Sequence, residues 1–288
     1  MELTNYNEIR ALLARHGFRF SKSLGQNFLT AAWVPARIAD EAGLDERTGV
    51  VEIGPGVGCL TAELSKRAGK VVSIELDRAL RPVLAETLAG LDKVEIVFGD
   101  ACKMDLAALV REKLPGLRPV VCANLPYNVT SPLLTAILEA GCFETVTVMI
   151  QREVARRLCA EPGSADYGAF GLFVQWHCVP ELLFDVPPSC FVPQPKVTSS
   201  VVRLTRREAP PVPVEDEALL FRVIRAAFNQ RRKTLVNALS AGLGLDKAAA
   251  EEILLRRGFD PRIRGEALSL GGFATIADEI SALKRGDL

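Results

Sequence analysis

The β-branched run Val50-Val51-Glu52-Ile53 ends in Gly54-Pro55-Gly56-Val57-Gly58, and a helical pattern starts just beyond it. Glycine at such a turn lets the backbone bend sharply and pass close to a ligand. About twenty positions later Glu75 ends a second run, Val71-Val72-Ser73-Ile74-Glu75, where an acidic side chain can take both hydroxyls of a ribose. The glycine spacing is Gly-x-Gly-x-Gly. Dinucleotide sites carry Gly-x-Gly-x-x-Gly, which presents helix N–H groups to a pyrophosphate. Glu52, just ahead of the turn, would repel a phosphate but favour the ammonium and sulfonium of S-adenosylmethionine. Asp100, in Gly99-Asp100-Ala101, follows a third strand, and its carboxylate can accept from an adenine amino group. A tight turn alone would explain the glycines, and a helix cap alone would explain Asp100. The placement of both glutamates shifts the balance to a ligand. Glu52, Gly54, Gly56, Glu75 and Asp100 are the expected cofactor residues.

A second group of residues follows the fourth strand: Asn124-Leu125-Pro126-Tyr127. The amino group of adenine is a poor nucleophile, because its lone pair is delocalised into the ring. An amide oxygen and a backbone carbonyl that both accept from N6 would localise that pair and aim it. Asn124 Oδ1 and the Leu125 carbonyl are suited to this, and Pro126 fixes the turn. Tyr127 offers a flat face on which a base taken out of its helix can stack. The chemistry indicated is methyl transfer to an adenine amine. A sulfonium carries its own leaving group, so in-line displacement requires mainly positioning. No nucleophilic Ser or Cys, strong base or metal is needed, and neither His16 nor His177 has metal-ligand spacing.

Two basic groups stand apart from these motifs. Arg222, Arg225, Arg231, Arg232 and Lys233 lie in a stretch without acids, and Arg222 and Arg225 are i,i+3 neighbours on a helix. Arg152, Arg156 and Arg157 follow the fifth strand. Phosphate neutralisation is the expected use of both. A solvated helix face is the alternative, and Arg152 could instead pair with Glu153 or a strand-end carbonyl.

The elements that must position these residues follow from the pattern. Helical stretches are expected at 6–16 and 31–42. Short β-branched runs at 50–53, 71–75, 94–97, 119–123 and 145–150 are separated by helical patterns at 60–68, 78–88 and 131–140. That alternation means an α/β fold with a parallel sheet covered on both faces. Two further β-rich runs, 172–179 and 197–204, suit an antiparallel pair at one edge. Three prolines within 210–213 favour an extended linker. The expected division is a catalytic domain over 1–206 with an N-terminal helical extension, a linker at 207–213, and a helical RNA-binding domain over 214–288.

Composition narrows the class. Lys+Arg and Asp+Glu are both 35, so the chain is neither a polycation nor an acidic tail protein, although local clusters can still bind RNA. The seven cysteines are widely spaced, without Cys-x-x-Cys, which argues against a disulfide framework or zinc knuckle. The first residues, Met1-Glu2-Leu3-Thr4-Asn5, lack a charged-then-apolar leader, and no apolar run is long enough for a membrane span. A cytoplasmic, reducing location is expected.

Six stretches together resemble the rRNA adenine N6,N6-dimethyltransferases. They are Leu24-Gly25-Gln26-Asn27-Phe28-Leu29, the Glu52-to-Gly58 turn, Asn124-Leu125-Pro126-Tyr127-Asn128, Gln151-Arg152-Glu153-Val154-Ala155-Arg156-Arg157-Leu158, Phe191-Val192-Pro193-Gln194-Pro195-Lys196-Val197, and Phe228-Asn229-Gln230-Arg231-Arg232-Lys233-Thr234-Leu235. The resemblance covers nearly the whole chain and is closest to the bacterial small-subunit branch. It implies a Rossmann-like class I methyltransferase sheet with a small C-terminal helical domain. It also implies S-adenosylmethionine as methyl donor, and dimethylation of two adjacent adenosines in a hairpin near the 3′ end of 16S rRNA. The partner would be that RNA within the small ribosomal subunit or its precursor, with no metal and a monomeric protein. By the same resemblance Asn27, Leu29 and Asn124 join the cofactor residues, Asn124 and Tyr127 face the target adenine, and Phe191 is a second aromatic beside the base. Cys59 and Gly171 depart mildly from the family's usual residues. The macrolide-resistance large-subunit methyltransferases share the cofactor motifs, but 151–158 and 228–235 look small-subunit-like. A ribosome-assembly factor is the non-enzymatic alternative. A nicotinamide oxidoreductase is disfavoured by the glycine spacing.

Overall fold

The computed structural model describes residues 1–18 and 25–285. In chain order the elements are α1 (Tyr6–Arg15), β1 (Phe28–Leu29), α2 (Trp33–Glu41), β2 (Thr48–Ile53), α3 (Cys59–Ser65), β3 (Lys70–Glu75), α4 (Arg81–Thr87), β4 (Val94–Phe98), α5 (Leu106–Lys113), β5 (Arg118–Asn124), α6 (Thr130–Glu139) and β6 (Thr145–Gln151). Then come α7 (Arg152–Leu158), α8 (Ala169–His177), β7 (Cys178–Val186), β8 (Phe191–Val192), β9 (Ser199–Arg206), α9 (Glu217–Asn229), α10 (Leu235–Leu243), α11 (Lys247–Arg256) and α12 (Leu270–Arg285).

Seven strands form one sheet in the order β4-β3-β2-β5-β6-β9-β7. All six residues of β2 are buried, as a strand with helices on both faces requires. β2 pairs in parallel with both β3 and β5, and β6 continues the parallel set beside β5. The chain order therefore reverses beside β2. In open α/β sheets a ligand crevice forms at that switch point, outside the carboxyl ends of the strands. β9 runs antiparallel to β6, with Gln151 opposite Ser199. One face is covered by Val34, Ile38 and Ala39 of α2 and Leu60 and Leu64 of α3, packed over Val50, Val71 and Val120. Helix α1 buries Ile9, Leu12 and Leu13, an i, i+3, i+4 stripe, against Val83 and Leu84 of α4. Each such side chain contributes roughly 2 kcal/mol on burial.

The chain divides into two compact units, 1–155 with 180–206 and 156–179 with 207–288. This differs from the expected division at 206, because residues 156–179 pack with the C-terminal helices. The 172–179 run, expected as strand, is mostly helix α8. Its Leu172 and Trp176, an i,i+4 pair, enter a core with Leu220, Val223 and Ile224 of α9 and Phe273 of α12. Tyr167, fully buried in that core, donates to the Leu268 carbonyl at 2.8 Å. Gly171 has a structural reason: a Cβ there would lie 2.3 Å from the Arg157 carbonyl oxygen. At the edge where an antiparallel pair of 172–179 and 197–204 is expected, the sheet instead ends in β9, antiparallel to β6, followed by β7. Residues 207–213 are not a free linker. Arg207 Nε donates to the Gln175 carbonyl at 2.9 Å, and Val212 packs on the same core. Among the described residues no helix is long and apolar enough to cross a membrane.

Candidate active site

A cavity of ≈ 380 Å³ opens at the carboxyl ends of the parallel strands of the first unit. Asn27, Leu29, Glu52, Gly54, Gly56, Glu75, Asp100 and Asn124 all line it, together with Leu125 and Tyr127. The two constellations read separately from the sequence thus share one space. The turn between β2 and α3 has its three glycines in the left-handed region, at φ of 71°, 61° and 91° for Gly54, Gly56 and Gly58. A Cβ on Gly56 would come within 3.1 Å of the Phe28 ring, and one on Gly58 within 2.7 Å of Leu88. The positive φ favours glycine at all three positions, and at Gly56 the Phe28 ring also crowds a Cβ.

The carboxylates around the cavity sit in different surroundings. Glu52 is buried, and its Oε2 accepts from Thr61 Oγ1 and Ser73 Oγ, both at 2.6 Å. Burial pushes its carboxyl up to about 7, against the lowering effect of the two hydroxyls, and the nearby Glu75 charge adds to the rise. Glu75, also buried at the end of β3, accepts the Asp77 N–H at 2.7 Å and is likewise pushed up to about 7 by desolvation. Asp100 accepts the Cys102 N–H at 3.0 Å, and Lys103 lies 3.4 Å away. A cavity ringed by carboxylates, two of them desolvated, favours a cationic ligand with hydroxyl and amine donors and disfavours a phosphate. S-adenosylmethionine has that donor set, and the residues fit it.

β5 delivers Asn124 to the cavity, and Pro126 turns the chain into a single 3₁₀ turn at Tyr127–Val129. Asn124 Nδ2 donates to the Asn27 carbonyl at 3.4 Å, which fixes the orientation of the amide. Its Oδ1 is buried and accepts from no group among the described residues. Thr87 and Thr147 also carry such an unpaired oxygen, but only Asn124 of the three lines the cavity. An unpaired buried acceptor costs about 1–3 kcal/mol unless something donates to it. Tyr127 is half-buried, and its hydroxyl is hydrogen-bonded to Ser199 Oγ. Phe191 does not meet its expectation. It is buried in the core beside Leu29, its partner in the β1–β8 pair, and does not line the cavity.

The segment that carries Asn27 does more than the sequence showed. Gln26 Nε2 donates to Asp77 at 2.9 Å, Asn27 meets Asn124, and Phe28 closes on Gly56. Gly25 is at φ +63°, and a Cβ there would come within 2.8 Å of Asn128 Oδ1. Leu24, first in that motif, lies outside the described residues, as do 21–23. Thr61, Ser73 and Ser199, which hold the site's side chains, went unnoticed because lone hydroxyls have no sequence signature. Cys59 fits its place as a small buried side chain opening α3.

Among the basic residues, Arg222 and Arg225 are exposed on α9, as are Arg232, Lys233 and Arg156 elsewhere. None of these five has an acidic partner among the described residues. Arg231 is different. It pairs with Glu266 at 2.8 Å and donates to the Ala165 carbonyl at 2.7 Å, so it ties the helical unit together. Arg152 pairs with Asp185 at 3.7 Å rather than with Glu153 or a carbonyl. Among the described residues no group of three or more His, Cys, Asp or Glu is placed to hold a metal ion.

A parallel sheet reversing beside β2, a left-handed glycine turn and an acidic residue closing β3 define a Rossmann-like methyltransferase. The family profile described as ribosomal RNA adenine dimethylase matches residues 17–278. The ribosomal RNA small subunit methyltransferase A of Geobacillus thermodenitrificans is 46% identical over 281 residues, covering 96% of each chain. That of Pelotomaculum thermopropionicum is 49% identical over 278 residues, covering 94% of each. The crystal structure of the 23S rRNA methyltransferase ErmE superposes with a TM-score of 0.66 at 26% identity, over 88% of this chain and 99% of that one. A dimethyladenosine transferase from Plasmodium falciparum shares the fold, with a TM-score of 0.71 at 24% identity over 90% and 98% of the two chains. The chain belongs to the ribosomal RNA adenine dimethylase family. It is an S-adenosylmethionine-dependent rRNA adenine dimethyltransferase.

Proposed function

We propose that the chain dimethylates N6 of two adjacent adenosines in a hairpin near the 3′ end of 16S rRNA, acting as a cytoplasmic monomer on the small ribosomal subunit or its precursor. Support for the small subunit comes from the relatives named above. Those at 46% and 49% identity carry a small-subunit name, whereas the large-subunit enzyme stands at 26%. Bound S-adenosylmethionine supplies an electrophilic methyl group with its own leaving group. Glu75 would accept from its ribose hydroxyls and Asp100 from its adenine amino group, and Glu52, which also lines the cavity, would balance its positive charge. Asn27, Leu29, Gly54 and Gly56 shape the walls.

The target base enters beside Tyr127, which stacks on it. Asn124 Oδ1 and the Leu125 carbonyl accept from the N6 protons, two before the first transfer and one before the second, so that the lone pair is drawn out of conjugation with the ring and faces the methyl. After transfer the product ammonium releases its proton readily, and no strong base is required. Arg222, Arg225, Arg232, Lys233 and Arg156 neutralise RNA phosphates, with Arg152 adding a partly paired charge. The single observation that carries this reading is the buried, unpartnered Asn124 Oδ1 on the cavity wall.

Asn124→Ala tests it. The acceptor matters most as the methyl moves, so single-turnover methylation at saturating S-adenosylmethionine should fall at least ~100-fold, or ~2.7 kcal/mol. Subunit affinity should stay within about threefold, well under 1 kcal/mol. A normal rate under those conditions would refute the activation of N6 by Asn124.

A further inference from the structure

Ser199 opens β9 and is fully buried, with Gln151 of β6 directly opposite. β6 lies between β9 and β5, the strand that leads into the Asn124–Tyr127 turn. Ser199 Oγ is hydrogen-bonded to the Tyr127 hydroxyl. Among the described residues that bond is the one side-chain hydrogen bond of a ring that otherwise sits half-open on the cavity wall. Successive side chains of a strand point to opposite faces. Accordingly the next residue, Ser200, turns away and donates to Asp185 at 2.5 Å.

We infer that Ser199 is a positioning residue for methyl transfer: its hydroxyl holds the Tyr127 phenol and thereby fixes the plane in which the target adenine stacks. The inference rests on the stacking role proposed for Tyr127. A phenol ring turns on two side-chain torsions, and anchoring its far end removes most of that freedom. A base stacked on a tilting ring carries its N6 with it, and small misplacements of reacting atoms cost large factors in rate. The Ser199 hydroxyl touches neither base nor cofactor in this scheme, so its removal should act on the chemical step and spare binding. Burial raises the Tyr127 phenol above its ordinary value, so the tie is between two neutral hydroxyls at working pH.

The test is a double-mutant cycle on undermethylated small subunits with Ser199→Ala, Tyr127→Phe and the double variant. Each single variant removes the same bond from one side. Each should lower the single-turnover rate about tenfold, and the double variant should be no slower than either single one. Affinities for the subunit and for S-adenosylmethionine should stay within about twofold of the parent. Additive losses, or an unchanged rate in Tyr127→Phe, would overturn the inference, and Tyr127→Phe carries the test alone should Ser199→Ala not fold. Tyr127→Ala separates the inference from the reading beneath it. A near-normal rate in Tyr127→Ala removes the stacking role itself. A collapsed rate there beside a normal rate in Ser199→Ala rejects only the role of Ser199.

Discussion

At the scale of single residues, the site is built from acceptors placed where water is scarce. Glu75 shows the consequence most clearly. Its carboxyl is pushed up to about 7 by desolvation, so the cofactor-free protein holds a proton there through the lower part of the neutral range. Ribose hydroxyls need the ionised form. Cofactor affinity should therefore rise by up to about tenfold between pH 6 and pH 8, since roughly a tenth of such a group is ionised one unit below its pKa and nine tenths one unit above. Glu75→Ala should weaken binding more than tenfold at pH 8 and flatten that dependence. Calorimetric titration across the pH range checks both, and a flat profile in the parent enzyme would remove Glu75 from the ribose site. Most of these residues were legible in the sequence, because carboxylates at strand ends and an Asn-Leu-Pro-Tyr turn are chemically specific. Phe191 is buried off the cavity and Arg231 is paired with Glu266: an aromatic ring and a guanidinium serve a core or an ion pair as well as they serve RNA, and sequence does not separate the uses.

At the scale of elements, β2 carries a charge into the middle of the sheet. The folded-state value of Glu52 is raised from 4.5 to about 7. Its contribution to stability is thus present below about pH 4.5 and lost as pH rises through about 7, where the ionised side chain is held away from water. Glu52→Gln keeps an oxygen for Thr61 and Ser73 and removes the charge. The cofactor-free variant should be more stable than the parent at pH 8, by about 1–3 kcal/mol, with little difference at pH 5. Its cofactor affinity should drop, because the balancing charge is gone. Thermal midpoints at the two pH values check this, and equal midpoints at pH 8 would show that Glu52 is not strained by burial. Element type was readable wherever β-branched runs met glycine turns, as in β2 to β6. It failed at α8, where an apolar run with little polar contrast reads equally well as strand, and only the fit of Leu172 and Trp176 into the helical core decides. Helix α5 and the two-residue pair β1–β8 carried too little periodicity to be seen.

At the scale of the whole molecule, a neutral chain that is to hold a polyanion needs cationic side chains left unpaired. Arg222, Arg225, Arg232 and Lys233 are exposed without acidic partners among the described residues, whereas Arg231 is committed to Glu266. Replacing those four with Ala should reduce the log–log salt slope of subunit binding by about 3, with cofactor affinity unchanged. Arg231→Ala should instead lower stability and barely alter the slope. Binding measured over a range of salt concentrations separates the two, and an unaltered slope in the fourfold variant would place RNA elsewhere. The central claim concerns what is methylated, and the most direct measurement presents the enzyme and S-adenosylmethionine with undermethylated small and large ribosomal subunits and identifies the products by mass spectrometry. The account predicts N6,N6-dimethyladenosine at two adjacent positions near the 3′ end of 16S rRNA and no methylation of 23S rRNA. Methyl groups confined to 23S rRNA, or a product that stops at N6-monomethyladenosine, would contradict it.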